Sequence, residues 1–350
     1  APHAGDGHDR VPPVVLSHES GATILFQRVP GATLVGIEEV HPVGLIHDPE
    51  GITQATHLLE HLRCMGRTAS HDVGESYALL NRMGMGNAET MGDLTHYDLV
   101  VPAEELGTAL SMIAERGSSL VIDDSLLARE VPRCAAEVAH VSGALGTPGF
   151  KFALAGVVQH WRHARAEVLL SEELSSWRPE EAEAFHRATH HPSRMLIVIA
   201  GDLEVEDVEA ACHDGLAGIR AEPGVEAADP TPDSALAPIA WAGVPGVSSV
   251  VWDDPSTAVF VAYPPPTDPA ECLALTLWSA AAMERLAGPL QREFTQAALG
   301  GVAYPVGTLP VMAFASVDAE DPEASAERLA GRIEALALGP GAAIAAARRH

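Results

Sequence analysis

Lysine is all but missing from this chain of 350 residues: 21 residues are Lys or Arg, and Lys151 is the one lysine among them. Against them stand 48 Asp and Glu, a formal charge of −27. Such a surface repels phosphate backbones, which argues against nucleic acid as a partner. It would draw in a basic peptide, although net charge far from zero also serves solubility alone, and abundant Ala, Gly and Pro beside arginine suit a GC-rich genome. Cysteine is scarce as well. Cys64, Cys134, Cys212 and Cys272 are widely spaced with no CxxC pair, which excludes a zinc knuckle and a thioredoxin-like motif and suits a reduced compartment. No run reaches the roughly 18 apolar residues of a membrane-spanning helix, and the opening APHAGDGHDR lacks a basic stretch followed by an apolar one. The expectation is a cytoplasmic protein with no membrane partner.

What is present is ordinary globular material, 47% hydrophobic and 20% charged, in a length that suits two domains. VVLSHES, ATILFQRV and TLVGIEEVHPV read as strands between residues 14 and 43, with Gly and Pro-Gly breaks. Helical spacing follows over 52–64 and 104–116, with the strand DLTHYDLVVP between them. Asp123, Asp124 and Ser125 open a helix over 124–141, and MLIVIAGDL is a buried strand. The stretch 222–238, rich in Pro, Ala and acid, is the expected linker between a first domain over 14–221 and a second over 239–350. In the second domain the expected elements are the strand TAVFVAYPP, a helix over 269–287, a further helical stretch toward Gly300, strand-like segments over 303–317 and a helix over 322–338. Strands and helices mixed in both halves predict α+β layers.

The sharpest feature is THLLEHL, residues 56–62. On a helix His57 and His61 project from one face one turn apart, close enough to share a tetrahedral cation. Glu60 lies on the same side, where a carboxylate can take a proton from a water whose pKa Zn²⁺ lowers toward about 7. Imidazole with carboxylate suits zinc best, and manganese or cobalt would accept the same donors. The competing reading is a solvated helix that happens to carry two histidines beside an acid.

HxxEH in this order, with its surroundings, resembles the pitrilysin and insulinase family of zinc peptidases. TLVGIEEVHPVGLIHDPEG before the motif, CMGRT after it, GNAETMGDLTHYDLVVP, REVPRCAAEVAH and ATHHPSRMLIVIAGDLEVEDV are each similar to a family segment. The resemblance implies two related α+β domains closing as a clamshell around a cavity, with the first one catalytic. It implies zinc held by His57, His61 and Glu137, with Glu60 as general base. Glu130, two helical turns before Glu137, would be a carboxylate that orients a ligand. Asn87 and Ala88 would belong to an edge strand onto which a substrate peptide adds. Tyr304, in GGVAYPV, would help hold the substrate or its oxyanion.

The chain also departs from that pattern. Gln54 stands where the family carries glycine, and Cys64 where it carries an aromatic residue. Cys64 and Cys134 each lie three residues from a proposed ligand, so either could face the metal, though a free Cys is usually a small buried hydrophobe. Pro132 falls inside the glutamate helix, where it should bend the axis. Ala297 occupies the position of the family's substrate-binding Arg, and the sequence ends in what resembles the middle of the second domain, which would leave that domain shortened. These two departures imply a second polypeptide, as homodimer or heterodimer, whose related subunit supplies an Arg and Tyr pair. The expected function is hydrolysis of short or unfolded peptides; the rivals are a peptide-binding or scaffold subunit without activity and a metal hydrolase acting on some other small amide.

Overall fold

A computed structural model describes residues 12–91, 94–142, 171–220, 224–227, 257–263, 296–301, 311–317 and 322–335. The chain divides into two compact units, one of residues 1–138 with 166–232 and the other of the remainder. Tyr304, Cys272, the helix expected over 269–287 and most of the expected linker lie outside the described residues.

The first unit is built on a six-stranded sheet. Its strands are β1 (Val14–Ser17), β2 (Thr23–Arg28), β3 (Leu34–His41), β4 (Met85–Thr90), β5 (Thr95–Pro102) and β6 (Leu196–Gly201), in the order β1-β2-β6-β3-β5-β4. β2 and β6 run parallel and every other neighbouring pair runs antiparallel. Alternation decides the faces: along β3, Val35, Ile37, Glu39 and His41 are buried, and along β5, Thr95, Tyr97, Leu99 and Val101. The helices are α1 (Ala55–Met65), α2 (Glu75–Met83), α3 (Leu106–Ser118), α4 (Asp124–Ser142), α5 (Ser171–Ser175), α6 (Pro179–Thr189) and α7 (Val205–Gly215). Mixed layers of this kind bear out the α+β expectation.

Two apolar cores result. In one, Leu106, Leu110 and Ile113 of α3, with Val208 and Cys212 of α7, cover the sheet's Ile24, Phe26, Val35, Ile37, Val101, Ile197 and Ile199. In the other, Leu58, Leu59 and Leu62 of α1 meet Leu126, Leu127, Cys134 and Val138 of α4, closed by Leu174, Trp177 and Ala182. Between α1 and the sheet lies a buried polar layer. Arg63 of α1 donates to Glu39 at 2.7 Å, His41 meets the same carboxylate at 2.8 Å, and Arg116 of α3 reaches its second oxygen at 3.3 Å. Arg63 also stacks over Tyr97, 4.4 Å from the ring centre. A buried charge of this kind is tolerable only when paired, and here both arginines share Glu39.

The helix expected from residue 52 begins at Ala55, and α4 continues unbroken through Pro132. α2, α5, α6 and α7 had no sequence expectation. In the second unit, β7 (Thr257–Tyr263), β9 (Val311–Val317) and β8 (Gln296–Gly301) form an antiparallel sheet in the order β7-β9-β8, against which α8 (Pro322–Glu334) packs. β8 corrects the helical expectation toward Gly300: QAALGG pairs along its whole length with β9, from Gln296↔Ser316 to Gly301↔Val311, and that ladder overrides weak local propensity. Among the described residues no helix is long and apolar enough to cross a membrane.

Candidate metal centre

α1 is not a solvated helix. Ala55, Thr56, Leu58, Leu59, Glu60, Leu62 and Arg63 are all buried, which removes the competing reading of two incidental surface histidines. A helix N-terminus enclosed in this way needs partners for its free N–H groups. Asp48 supplies them from the preceding loop: its carboxylate accepts from the Gln54 amide at 2.6 Å, the Thr56 amide at 2.8 Å and the Thr56 hydroxyl at 2.7 Å. Burial still pushes Asp48 up to about 7. Nothing local in the sequence marks Asp48 as a cap, because it acts from outside the helix.

His57 and His61 are mostly enclosed, with 13% and 15% of their side chains exposed, and their ring centres are 4.9 Å apart. Both present Nε2 to the Glu137 carboxylate, at 3.6 Å from His57 and 3.4 Å from His61. The other ring nitrogens are engaged from behind. Nδ1 of His57 meets Gln54 Oε1 at 3.0 Å, and Nδ1 of His61 faces Glu130 Oε2 at 3.6 Å, an ion-pair separation longer than a hydrogen bond. Two imidazoles, each facing one oxygen of the same carboxylate and each met from behind by a further polar group, are donor types that suit zinc.

Cys134 competes for the third place, since it, His57 and His61 have donor atoms within 4.8 Å of one another. Its sulfur approaches Nδ1 of His57 at 3.5 Å, the nitrogen that also faces Gln54, whereas Glu137 approaches both Nε2 atoms. Burial, reinforced by nearby Glu137 and Glu60, raises the Cys134 thiol far above its ordinary value in the metal-free protein. The donor group that closes within 4.8 Å among the described residues is His57, His61 and Cys134, while Glu137, half exposed, stands at 3.4–3.6 Å from the two Nε2 atoms. Cys64 belongs to no metal-binding group among the described residues.

Electrostatics separate the roles. Burial first, and His61 second, lower the pKa of His57 and keep it a neutral donor. Burial works against the charge on His61 too, but the carboxylates of Glu130, Glu60 and Glu137 outweigh it and raise its pKa. Glu130 is buried on α4, yet His61, Arg129 and Arg133 overcome its burial and hold it ionised; Arg129 donates at 2.8 Å and Arg133 at 3.0 Å, both to Oε1. Its Oε2, facing His61, has no hydrogen-bond partner.

Glu60 projects from α1 toward the sheet. Burial raises its pKa, opposed by the Thr90 hydroxyl, which donates to Oε2 at 2.7 Å. Thr90 ends β4, and β4 ends the sheet among the described residues, so its outer edge has no strand beside it. Asn87 and Ala88 lie in the middle of β4, paired on the inner side with Asp98 and Tyr97. Gly84 lets the chain turn from α2 into β4, because any side chain there would collide with the Val100 carbonyl. Sequence reasoning missed Thr90; the signal was its place on the alternation of β4, on the same face as Ala88.

No family model matches the chain. A protein of Helicobacter pylori named zinc protease PqqE is 24% identical over 178 residues, and the match spans 50% of this chain and only 40% of that protein. Among solved structures, a protease from Helicobacter pylori matches with a TM-score of 0.81 at 16% identity, over 97% of this chain and 84% of that one. Pitrilysin matches with a TM-score of 0.69 at 18% identity, over 94% of this chain and 36% of its own. A peptidase M16 inactive domain from Pseudomonas fluorescens matches with a TM-score of 0.75 at 15% identity, over 97% and 83%. At these identities the likeness is one of fold: this chain has the fold of pitrilysin and of M16 peptidase domains, inactive ones included.

Proposed function

We propose that the chain is a zinc-dependent endopeptidase acting on short or unfolded peptides. The observation that carries this reading is that His57 Nε2 and His61 Nε2 both face the Glu137 carboxylate beside Glu60, at the end of a strand edge that is unpaired among the described residues. Zinc held by those three residues would polarise a carbonyl and lower the pKa of a water toward about 7. The chain's own residues supply the rest. Glu60 accepts the water's proton on the oxygen that Thr90 leaves free, and its raised pKa keeps it able to release that proton to the leaving amine. β4 offers its backbone to an extended peptide around Asn87 and Ala88, so affinity comes from main-chain hydrogen bonds rather than from side-chain identity. Glu130 keeps the His61 ring oriented.

The inactive M16 domain among the fold neighbours favours a second reading, a non-catalytic peptide-binding subunit. The two differ in their need for the metal set: a scaffold has no use for two oriented imidazoles, an ionised Glu130 and a buried base. We propose further that the chain works with a second polypeptide, another copy or a related subunit, that completes the substrate clamp.

Metal analysis of the purified protein, together with cleavage of a mixed peptide library with and without a chelator, tests the main reading. Zinc near one per chain and chelator-sensitive cleavage are expected. A protein that is metal-free and stays inactive when zinc is restored sinks it.

A further inference from the structure

Gln54 is the one non-glycine residue with a positive φ among the described residues, at φ 65° and ψ 19°. Elsewhere the described backbone takes up positive φ only at glycines, Gly21, Gly31, Gly51, Gly74 and Gly224. A side chain with a Cβ is strained in that conformation, and strain of this kind persists only where the surroundings hold it in place. Here Asp48 does so, accepting from the amides of Gln54 and Thr56 on either side of the first helical residue. Gln54 is also 4% exposed, so its amide group is committed to the interior.

The strained turn brings Oε1 of Gln54 to 3.0 Å from Nδ1 of His57. An amide oxygen is only an acceptor, so Nδ1 must carry the proton, which leaves the lone pair of the neutral ring on Nε2. Nε2 is the atom that faces Glu137. We propose that Gln54 is a positioning residue for the metal centre: it fixes the tautomer and the rotation of His57, and the strain at its backbone is what this contact requires. This rests on His57 being a ligand.

The test compares the parent with Gln54→Gly, Gln54→Asn and Gln54→Glu. Zinc affinity is read by competition with a chromophoric chelator, thermal unfolding is read on the metal-free proteins, and the His57 tautomer is read from ring nitrogen shifts. Glycine accepts the positive φ without strain, so Gln54→Gly should unfold no earlier than the parent and yet bind zinc about tenfold or more weakly, the range usual for losing a ligand's outer partner. Asn tolerates the same backbone but falls one methylene short of the ring, and should lose affinity likewise. Gln54→Glu keeps an acceptor of the right reach and should restore affinity. In the metal-free parent the proton should sit on Nδ1, and Gln54→Gly should mix the tautomers. Parent-like zinc affinity in both Gln54→Gly and Gln54→Asn overturns this proposal alone. A parent that takes up no zinc overturns it together with the peptidase reading.

Discussion

Thr90, the last residue of β4, donates its hydroxyl to Oε2 of Glu60 at 2.7 Å. The strand whose outer edge is free among the described residues therefore also holds the proposed base, and a peptide that pairs with β4 would arrive beside the carboxylate that needs it. This ties the binding edge to the chemistry through one hydroxyl.

Removing that hydroxyl should show in the pH profile. Burial raises the pKa of Glu60, and the Thr90 donor opposes the rise by favouring the charged form. In Thr90→Val the pKa should climb further, so the acid limb of kcat/KM moves to higher pH and activity near pH 6 falls most. A hydrogen bond to a charged group is worth about 1.5–3 kcal/mol, so a loss of about tenfold or more is expected there. A profile that superimposes on the parent's would deny Thr90 this role.

The two glutamates proposed for base and ligand should fail differently. Glu60→Gln keeps both imidazoles and Glu137, so zinc content should stay near the parent's while hydrolysis falls about 100-fold to 10,000-fold. Glu137→Gln should lower zinc occupancy itself. Cys134→Ser should keep zinc, since the sulfur sits against Nδ1 of His57 and not against Nε2. Zinc lost in Cys134→Ser but retained in Glu137→Gln would exchange their places.

Much of this site could be read from sequence because it is local. His57, Glu60 and His61 lie within one and a half turns of a single helix, so helical periodicity groups them, whereas Glu130 and Glu137, two turns apart on another helix, were singled out by the family resemblance. The sheet was legible for the same reason wherever residues alternate, as in β3 and β5. What stayed hidden depends on contacts distant in sequence. Glu39 looks like any acid in a strand, and only its register beside Val35 and Ile37 puts it under Arg63 and Arg116. Asp48 caps a helix that it does not belong to, and Thr90 reaches Glu60 across 30 residues. β8 was read as helix because small residues permit either state, and its partner β9 decides.

The polar layer behind α1 predicts acid sensitivity. Burial, and then the nearby charges of Arg63 and His41, hold His186 and His190 well below 6.5, and burial likewise lowers His41 despite Glu39. A histidine with a depressed pKa in the fold binds its proton only after unfolding. The stability it contributes is present above about pH 6.5 and declines as the pH falls below that value, at about 1.4 kcal/mol per pH unit for each such residue. Guanidinium unfolding of the metal-free protein at pH 7.5 and 5.5 should therefore give a clearly lower stability at pH 5.5. His190→Gln should start lower yet lose less between the two values, and an equal loss in parent and variant would rule His190 out as a contributor.

The last prediction concerns assembly. Ala297 stands in β8 at the position where the family resemblance implies an arginine. If the site on α1 turns over peptides, the charge that would clamp the substrate must come from another polypeptide or be dispensable. Association with an unlike, arginine-bearing subunit predicts weak activity from the chain alone and stimulation when the products of neighbouring genes are co-expressed. Self-association predicts a dimer by light scattering, with activity per chain that rises with concentration across the dissociation range. A strictly monomeric protein with full turnover, unaffected by any partner, would refute the assembly proposal while leaving the metal centre untouched.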